Sequence, residues 1–339
     1  VVVALVVGYF LKTNQQRRNR NAAYDLCVIG RDHMNRRTQP ELEEARKYFD
    51  RAIRKDPAYA LAYAGMADCY ALLGSTGYDL PPEQTLPNAV RYALKALEYD
   101  SKLAEAHTSL GIADLFYNWD LPNAEKDLKA AVGENPTDQI AQYWYVVYLI
   151  AAPGHLSEAI ARSKVAEQLD PDSPFLGSAV ARAQYYNGLY EEAIDQCQKI
   201  LRRDPRFFPA RFILASSYEQ MEKYSSAIDE FKGMGNQEDS SVLLASLGTA
   251  FAKAGMQEQA KGVLAELDGR KKRNIYISPY YYATIYANLN NKERAFDFLE
   301  QAYKERSSAL IFLQVEPTLG CLQGDKRFKD LVDRIKPIL

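Results

Sequence analysis

Side chains that could carry out catalysis or hold a metal ion are present but scattered along the chain. The three histidines and four cysteines of the 339 residues make no closely spaced pair. A histidine-based metal site or a disulfide-stapled domain needs such spacing, so we expect the cysteines to be small buried apolar residues. No GxxxxGK[ST], HExxH or GxSxG motif occurs. The sequence therefore predicts no catalytic site, no cofactor and no metal.

Charged side chains are frequent, but they follow a helical spacing. In ELEEARKYFD (residues 41–50) the carboxylates alternate with lysine and arginine, which is typical of a solvated helix face. The run GRKKR (residues 269–273) is interpreted as a solvated connector, with a docking patch for an acidic partner or a lipid headgroup as the alternative. The formal net charge of −2 gives no electrostatic reason to expect contacts with nucleic acid.

The elements that must position these side chains are revealed by an internal repeat. Four Asp-Pro or Asn-Pro pairs occur, and an alanine lies twelve residues before each of their prolines. Continuing this series gives eight alanines that are 33 to 35 residues apart, except for one interval of 44. They are Ala45, Ala89, Ala124, Ala159, Ala193, Ala227, Ala260 and Ala295.

Each repeated unit is predicted to be a pair of helices. Mostly small or apolar residues recur at offsets of zero, four and seven from the alanine, which places them on one face of the second helix. The residue before proline ends that helix, and Gly154, Gly188 and Gly255 suit a left-handed end of the first helix. The stretch QYWYVVYLI (residues 142–150) has strand preference, but its register places it in the first helix of unit 4. We expect that helix to be buried on several sides.

The pattern resembles the tetratricopeptide repeat. AYAGMADCYALLG (residues 62–74) is similar to its first helix, and EEAIDQCQKILRRDP (residues 191–205) is similar to its second. The resemblance implies an all-α, right-handed superhelical solenoid of about eight helix-turn-helix units over residues 21–306. Residues 307–339 are predicted to be a capping segment, in which DKRFKDLVDRI forms a helix that covers the last unit.

The resemblance also implies a concave groove built from fixed positions of each first helix. Such a groove binds a protein or a peptide, and its middle is here rich in aromatic residues with one arginine, the types that dominate binding hot spots. The alternative, that these side chains only fill space between units, stays open. The predicted groove residues are Arg31, Asp68, Ile112, Phe116, Trp144, Tyr148, Arg182, Tyr185, Phe212 and Tyr280.

The first residues of the chain suggest a membrane segment. Residues 1–11 are mostly apolar and would rise about 16 Å as a helix, roughly half of a bilayer core. We therefore predict that residues 1–11 are the C-terminal half of a transmembrane helix and that residues 12–20 are a basic juxtamembrane linker. The chain would then be a single-pass membrane protein. The core of a signal peptide is the alternative.

Two functions remain in contention. YALAYAGMADCYALLG (residues 59–74) and the segment of residues 278–307 resemble repeat regions of bacterial membrane-bound signalling proteins. In those proteins a receptor-type Ser/Thr kinase or a winged-helix domain precedes one membrane span. The resemblance implies a non-catalytic, extracytoplasmic sensing or docking arm that binds a protein or peptide. The alternative is a stand-alone, membrane-anchored assembly scaffold or chaperone-like adaptor.

Overall fold

Helix follows helix along the whole described part of the chain. The computed structural model describes residues 2–75, 77–234 and 240–335, and the side chains from Thr13 onward. These residues form seventeen α-helices and no strand. The helices are α1 (Val2–Asn35), α2 (Gln39–Lys55), α3 (Ala60–Gly74), α4 (Pro82–Tyr99), α5 (Ala104–Ala113), α6 (Leu121–Glu134), α7 (Gln139–Ala151), α8 (Leu156–Glu167), α9 (Pro174–Tyr186), α10 (Tyr190–Arg203), α11 (Phe208–Gln220), α12 (Tyr224–Gly233), α13 (Ser241–Lys253), α14 (Gln257–Lys272), α15 (Pro279–Asn288), α16 (Lys292–Lys304) and α17 (Lys326–Ile335).

The first sixteen helices form eight consecutive pairs, in which an odd-numbered first helix packs against the even-numbered second helix that follows it. Helix α2 ends at Lys55 because Asp56, which precedes a proline, has extended backbone angles (φ −138°, ψ 96°). Helix α10 ends at Arg203 before Asp204-Pro205 in the same way. The predicted all-α solenoid of eight helix pairs is therefore confirmed.

The turn inside each unit has one recurring backbone feature. Gly154, Gly188 and Gly255 have φ of 80°, 75° and 73°, as the sequence predicts for a left-handed helix end. In three other units the equivalent position has the same conformation without glycine, and the residues there are Trp119 (φ 56°), Glu222 (φ 59°) and Asn290 (φ 59°). The turn geometry therefore belongs to the repeat and does not depend on a glycine.

The aromatic stretch QYWYVVYLI lies in helix α7, as its register predicts, and every residue from Gln142 to Ala151 is buried. Its neighbours lie on several sides. Tyr143 stacks on Phe175 of α9, with ring centroids 4.3 Å apart. Trp144 meets Phe116 edge-on at 5.6 Å. Contacts on both sides of the helix override the strand preference of the individual residues.

The N-terminal apolar run does not form a membrane-spanning segment. Helix α1 continues without a break from this run through the polar and basic residues 12–20 to Asn35. Its buried residues Ala23, Cys27 and Met34 belong to the core that it shares with α2 and α3. No helix in residues 2–75, 77–234 and 240–335 is long and apolar enough to cross a membrane. The prediction of a single-pass membrane protein is therefore wrong, whereas the bounds given to residues 1–11 and 12–20 stay predictions.

After α16 the chain returns along the first helices of the solenoid. We call residues 307–322 the C-terminal segment; it contains two 3₁₀-helices, Ser308–Phe312 and Pro317–Leu322. Ser308 donates its hydroxyl to the Gly74 carbonyl at 2.6 Å, and Asn288 Nδ2 donates to the Thr318 carbonyl at 3.0 Å. Helix α17 follows and buries one apolar face. The segment thus joins the end of unit 8 to the end of α3 in unit 2.

Candidate functional site

Charged side chains lie on or beside the first helices of units 1 to 4. We call this the charged strip, and its residues are Arg31, Arg37, Asp68, Glu105 and Asp138. Arg31 Nη2 lies 2.8 Å from Glu105 Oε1 and so links unit 1 to unit 3. Ser109 donates its hydroxyl to Asp68 Oδ1 at 2.5 Å. Burial raises the pKa of Asp68 to about 7, although Ser109 and Arg31 act in the opposite direction. Partial desolvation of this kind strengthens the electrostatic contacts made there.

Arg37, in the turn between α1 and α2, is the arginine of the strip that forms no ion pair among the described residues, although the charge of Asp68 acts to raise its pKa. Its guanidinium carbon lies 4.5 Å from the centroid of the Phe175 ring, and Phe175 is stacked on Tyr143. Burial lowers the pKa of this guanidinium. A half-buried cation that lacks a direct ion pair is costly, so an acidic group from a partner would be stabilised here.

The C-terminal segment covers the middle of the predicted groove. The Phe312 ring stacks on Tyr186 at 5.5 Å and meets Phe116 at 5.9 Å. Its neighbours Leu310 and Ile311 are fully buried. Aromatic pairs at these distances add to the stability that comes from apolar burial. The chain itself therefore occupies part of the surface on which the sequence places a partner.

Beneath the C-terminal segment, in units 5 to 8, lies an aromatic cavity of about 200 Å³. Eight aromatic rings line it, among them Tyr185, Phe212, Tyr280 and Phe312, and its charged lining residues are Arg182, Glu219 and Glu316. Burial raises the pKa of Glu219 and of Glu316. Burial acts to lower the pKa of the Arg182 guanidinium, whereas the adjacent Tyr143 and Tyr186 act to raise it. The net effect is a raised pKa. We call this space the aromatic cavity.

The structure divides the ten predicted groove residues among four places. Arg31 and Asp68 lie in the charged strip. Arg182, Tyr185, Phe212 and Tyr280 line the aromatic cavity. Phe116 and Trp144 are buried side by side near Phe312, and Ile112 is buried in the same core. Tyr148 is also buried and stacks on Tyr145 at 6.1 Å, close to Glu125 of α6.

The repeat pattern did not predict several residues of the charged strip and of the aromatic cavity. Arg37 lies in the turn of unit 1 and has φ of 51°, so no position of a first helix predicts it. Phe312 and Glu316 follow the last unit, where the repeat gives no register. The available signal was the apolar run ALIFL (residues 309–313), which is too short for a helix of its own and needs an apolar surface to cover it.

The cysteines offer little chemistry. Cys27, Cys69 and Cys197 are buried free thiols, as predicted, whereas Cys321 is exposed, which the sequence did not predict. Burial raises the pKa of Cys27 to about 11 and that of Cys197 to about 12, so these thiols are poor nucleophiles. Within the described ranges, no group of three or more histidine, cysteine or acidic side chains could hold a metal ion.

The stacked helix pairs, with their shared inner side, define an α-solenoid. Residues 36–77 and 179–238 match the model of the tetratricopeptide repeat family. No curated protein gives a significant match to the chain. The resemblance to the tetratricopeptide repeat family is therefore supported by the two matched stretches and by the stacked helix pairs.

Solved structures with the same fold include two of IFIT1. A monomeric IFIT1 mutant with m7Gppp-AAAA is 13% identical, has a TM-score of 0.62 and is matched over 93% of this chain and 71% of its own. The human IFIT1 dimer with m7Gppp-AAAA is 15% identical, with a TM-score of 0.56 over 88% of this chain and 79% of its own. A thermophilic tetratricopeptide repeat protein of Thermus thermophilus is 21% identical, with a TM-score of 0.48 over 58% of this chain and 98% of its own. At these identities the likeness concerns the fold alone.

Proposed function

We propose that this chain is a non-catalytic interaction module whose charged strip binds a segment of a partner protein. The observation that carries the proposal is the chain's own C-terminal segment. It lies against the first helices in two short 3₁₀-helices, and Asn288 holds its backbone at the Thr318 carbonyl. Bonds from side chains to the backbone fix a segment in place without fixing its sequence. The inner side of these repeats therefore already accommodates one such segment.

Two features of the strip support a partner that carries an acidic side chain. The Arg37 guanidinium forms no ion pair among the described residues and lies over the ring of Phe175. An arginine stacked on an aromatic ring is pre-organised, so it loses little side-chain freedom when it binds a carboxylate. Arg31, by contrast, is already neutralised by Glu105. We therefore assign recognition of the acidic side chain to Arg37.

Nucleic acid is a weaker candidate for the same surface. The IFIT1 structures contain m7Gppp-AAAA, but the charged strip of this chain contains three carboxylates, those of Asp68, Glu105 and Asp138, against two arginines. Phosphate recognition needs an excess of positive charge. A docking arm of a bacterial signalling protein is a narrower form of our proposal, and it is supported by the resemblance of residues 59–74 and 278–307. A stand-alone assembly scaffold is the alternative.

Selection of random linear peptides displayed on phage, with the full chain as bait, tests the proposal. We expect peptides that share an acidic residue, and we expect their affinity to fall at least tenfold in Arg37→Met, because a hydrogen bond to a charged group is lost. The matched control is Arg91→Met on α4, which also removes an arginine that lies over a ring, that of Tyr92 at 4.5 Å.

In the control variant the affinity should be unchanged. Failure to enrich any binding peptide would count against the proposal. So would an equal loss of affinity in Arg37→Met and Arg91→Met, because the strip would then not be the site.

A further inference from the structure

The aromatic cavity has the dimensions and lining of a small-molecule site. Its volume of about 200 Å³ equals the liquid volume of about six or seven water molecules at roughly 30 Å³ each. Since a dry apolar cavity of about 150 Å³ is enough for benzene, this one has room for one aromatic ring with a short chain. Rings on most sides and a few polar groups are what ligand pockets generally have.

The two carboxylates of the cavity, those of Glu219 and Glu316, already have ion-pair or hydrogen-bond partners within the chain. Lys253 Nζ lies 2.9 Å from Glu219 Oε1, so this carboxylate has its counter-charge. Glu316 Oε1 accepts from the Thr318 backbone N–H at 3.2 Å and from the Thr318 hydroxyl at 2.9 Å. Glu316 Oε2 accepts from the Tyr186 hydroxyl at 3.3 Å. Neither carboxylate therefore needs a ligand to satisfy its hydrogen bonds.

Arg182, unlike these two carboxylates, has a side-chain atom with no hydrogen-bond partner. Its Nε is buried and has no hydrogen-bond acceptor, whereas the rest of the guanidinium is hydrogen-bonded to Tyr143 and lies in the field of Glu316 without forming an ion pair among the described residues. A buried donor without an acceptor costs free energy comparable to a lost hydrogen bond, and more when the group is charged. The cavity therefore lacks an acceptor for Arg182 Nε, and a ligand carboxylate would supply one.

We propose that the aromatic cavity binds a small organic carboxylate with one aromatic ring, its carboxylate on Arg182 and its ring among Tyr185, Phe212 and Tyr280. A ligand amine is disfavoured because it would place a second cation beside Arg182 while the two carboxylates already have partners. This inference does not rest on the proposed binding of a partner protein, because it uses units 5 to 8 and not the charged strip.

Calorimetric titration of the full chain with benzoate, phenylacetate and 3-phenylpropionate tests the proposal. We expect saturable binding at one site for at least one of these acids. The primary amide of that acid should bind at least tenfold more weakly, and the amine of equal length should not bind. Absence of binding by all three acids would overturn the proposal, and so would an amide or amine that binds as tightly as the acid.

Three variants locate the site. Arg182→Met should weaken binding of the acid at least tenfold. Arg162→Met, which changes another half-buried arginine whose Nε also lacks a partner but which lies outside the cavity, should leave the affinity unchanged. Ser216→Leu places a larger side chain in the cavity and should abolish binding without lowering the melting temperature.

If Arg182→Met folds poorly, Ser216→Leu still tests whether the acid binds in this cavity. A Ser216→Leu chain that keeps its melting temperature and still binds the acid would refute the assignment to this cavity. Equal weakening by Arg182→Met and Arg162→Met would refute the role of Arg182.

Discussion

The two halves of the inner side of this solenoid differ in what covers them. In units 1 to 4 the charged strip is open enough that the side chains of Arg31 and Glu105 are 40% and 21% exposed. In units 5 to 8 the first helices face the C-terminal segment, and Tyr185 and Tyr280 are only 6% and 7% exposed. The predicted groove residues of both halves, such as Arg31 and Tyr280, come from the same set of first-helix positions. The repeat position therefore decides the direction in which a side chain points, whereas the path of the chain after the last unit decides whether that direction is surface or core.

The largest expected effect tests whether the C-terminal segment is part of the core. Phe312 is 5% exposed and contacts Phe116 and Tyr186. Phe312→Ala removes a buried ring and leaves a cavity, so the free energy of unfolding should fall by about 3–5 kcal/mol, as measured by urea denaturation. The control is Leu94→Ala, which is 52% exposed and should change the free energy of unfolding by no more than about 0.5 kcal/mol.

If Phe312→Ala lowered the free energy of unfolding by less than about 1 kcal/mol, the proposed difference between the two halves would not hold. It would mean that the C-terminal segment rests on the inner side without contributing to the fold. The two halves would then be equally available to a partner, and the aromatic residues of units 5 to 8 would return as groove residues.

The sequence was sufficient to predict the structural features that recur in every unit, but not the contacts that occur only once. The helix pairs, their ends at Asp-Pro and the burial of QYWYVVYLI follow from local spacing, because each unit has the same neighbours as the next. The partner of Trp144, the cover over Tyr280 and the role of Arg37 depend on contacts between distant parts of the chain, such as Ser308 with Gly74. The membrane segment was predicted from an apolar run and its basic flank, whereas in the structure both belong to one helix that continues to Asn35 and packs against α2 and α3.

A second prediction concerns the open half. Burial raises the pKa of Asp68 from its ordinary value of 3.8 to about 7. Between these values the folded chain holds a proton that the unfolded chain has lost, so Asp68 lowers the stability progressively as the pH rises through this window. Asparagine cannot ionise. Relative to the natural chain, Asp68→Asn should therefore be more stable at pH 8 than at pH 5 by at least about 1 kcal/mol, since one pKa unit corresponds to about 1.4 kcal/mol.

The measurement is urea denaturation of both chains at a series of pH values from 4 to 9, and the quantity of interest is their difference. Taking the difference removes the contributions of the other titrating groups. A difference that stays constant with pH would show that Asp68 is ionised in the folded chain throughout. The strip would then be as well solvated as an ordinary helix surface, and its charged groups would contribute little to binding.

The smallest effect concerns a feature that both halves share. Glu222, which is exposed, holds the left-handed position (φ 59°) that glycine takes at Gly188 (φ 75°). A side chain in this conformation carries strain, so Glu222→Gly should raise the free energy of unfolding by about 0.5–1 kcal/mol. The reciprocal change Gly188→Ala should lower it by a similar amount, because an added Cβ meets nothing within 4 Å and only the backbone strain is tested. If both changes lowered the stability equally, the turn geometry would depend on the side chain in each unit, and the repeat would not fix even its backbone independently of its surroundings.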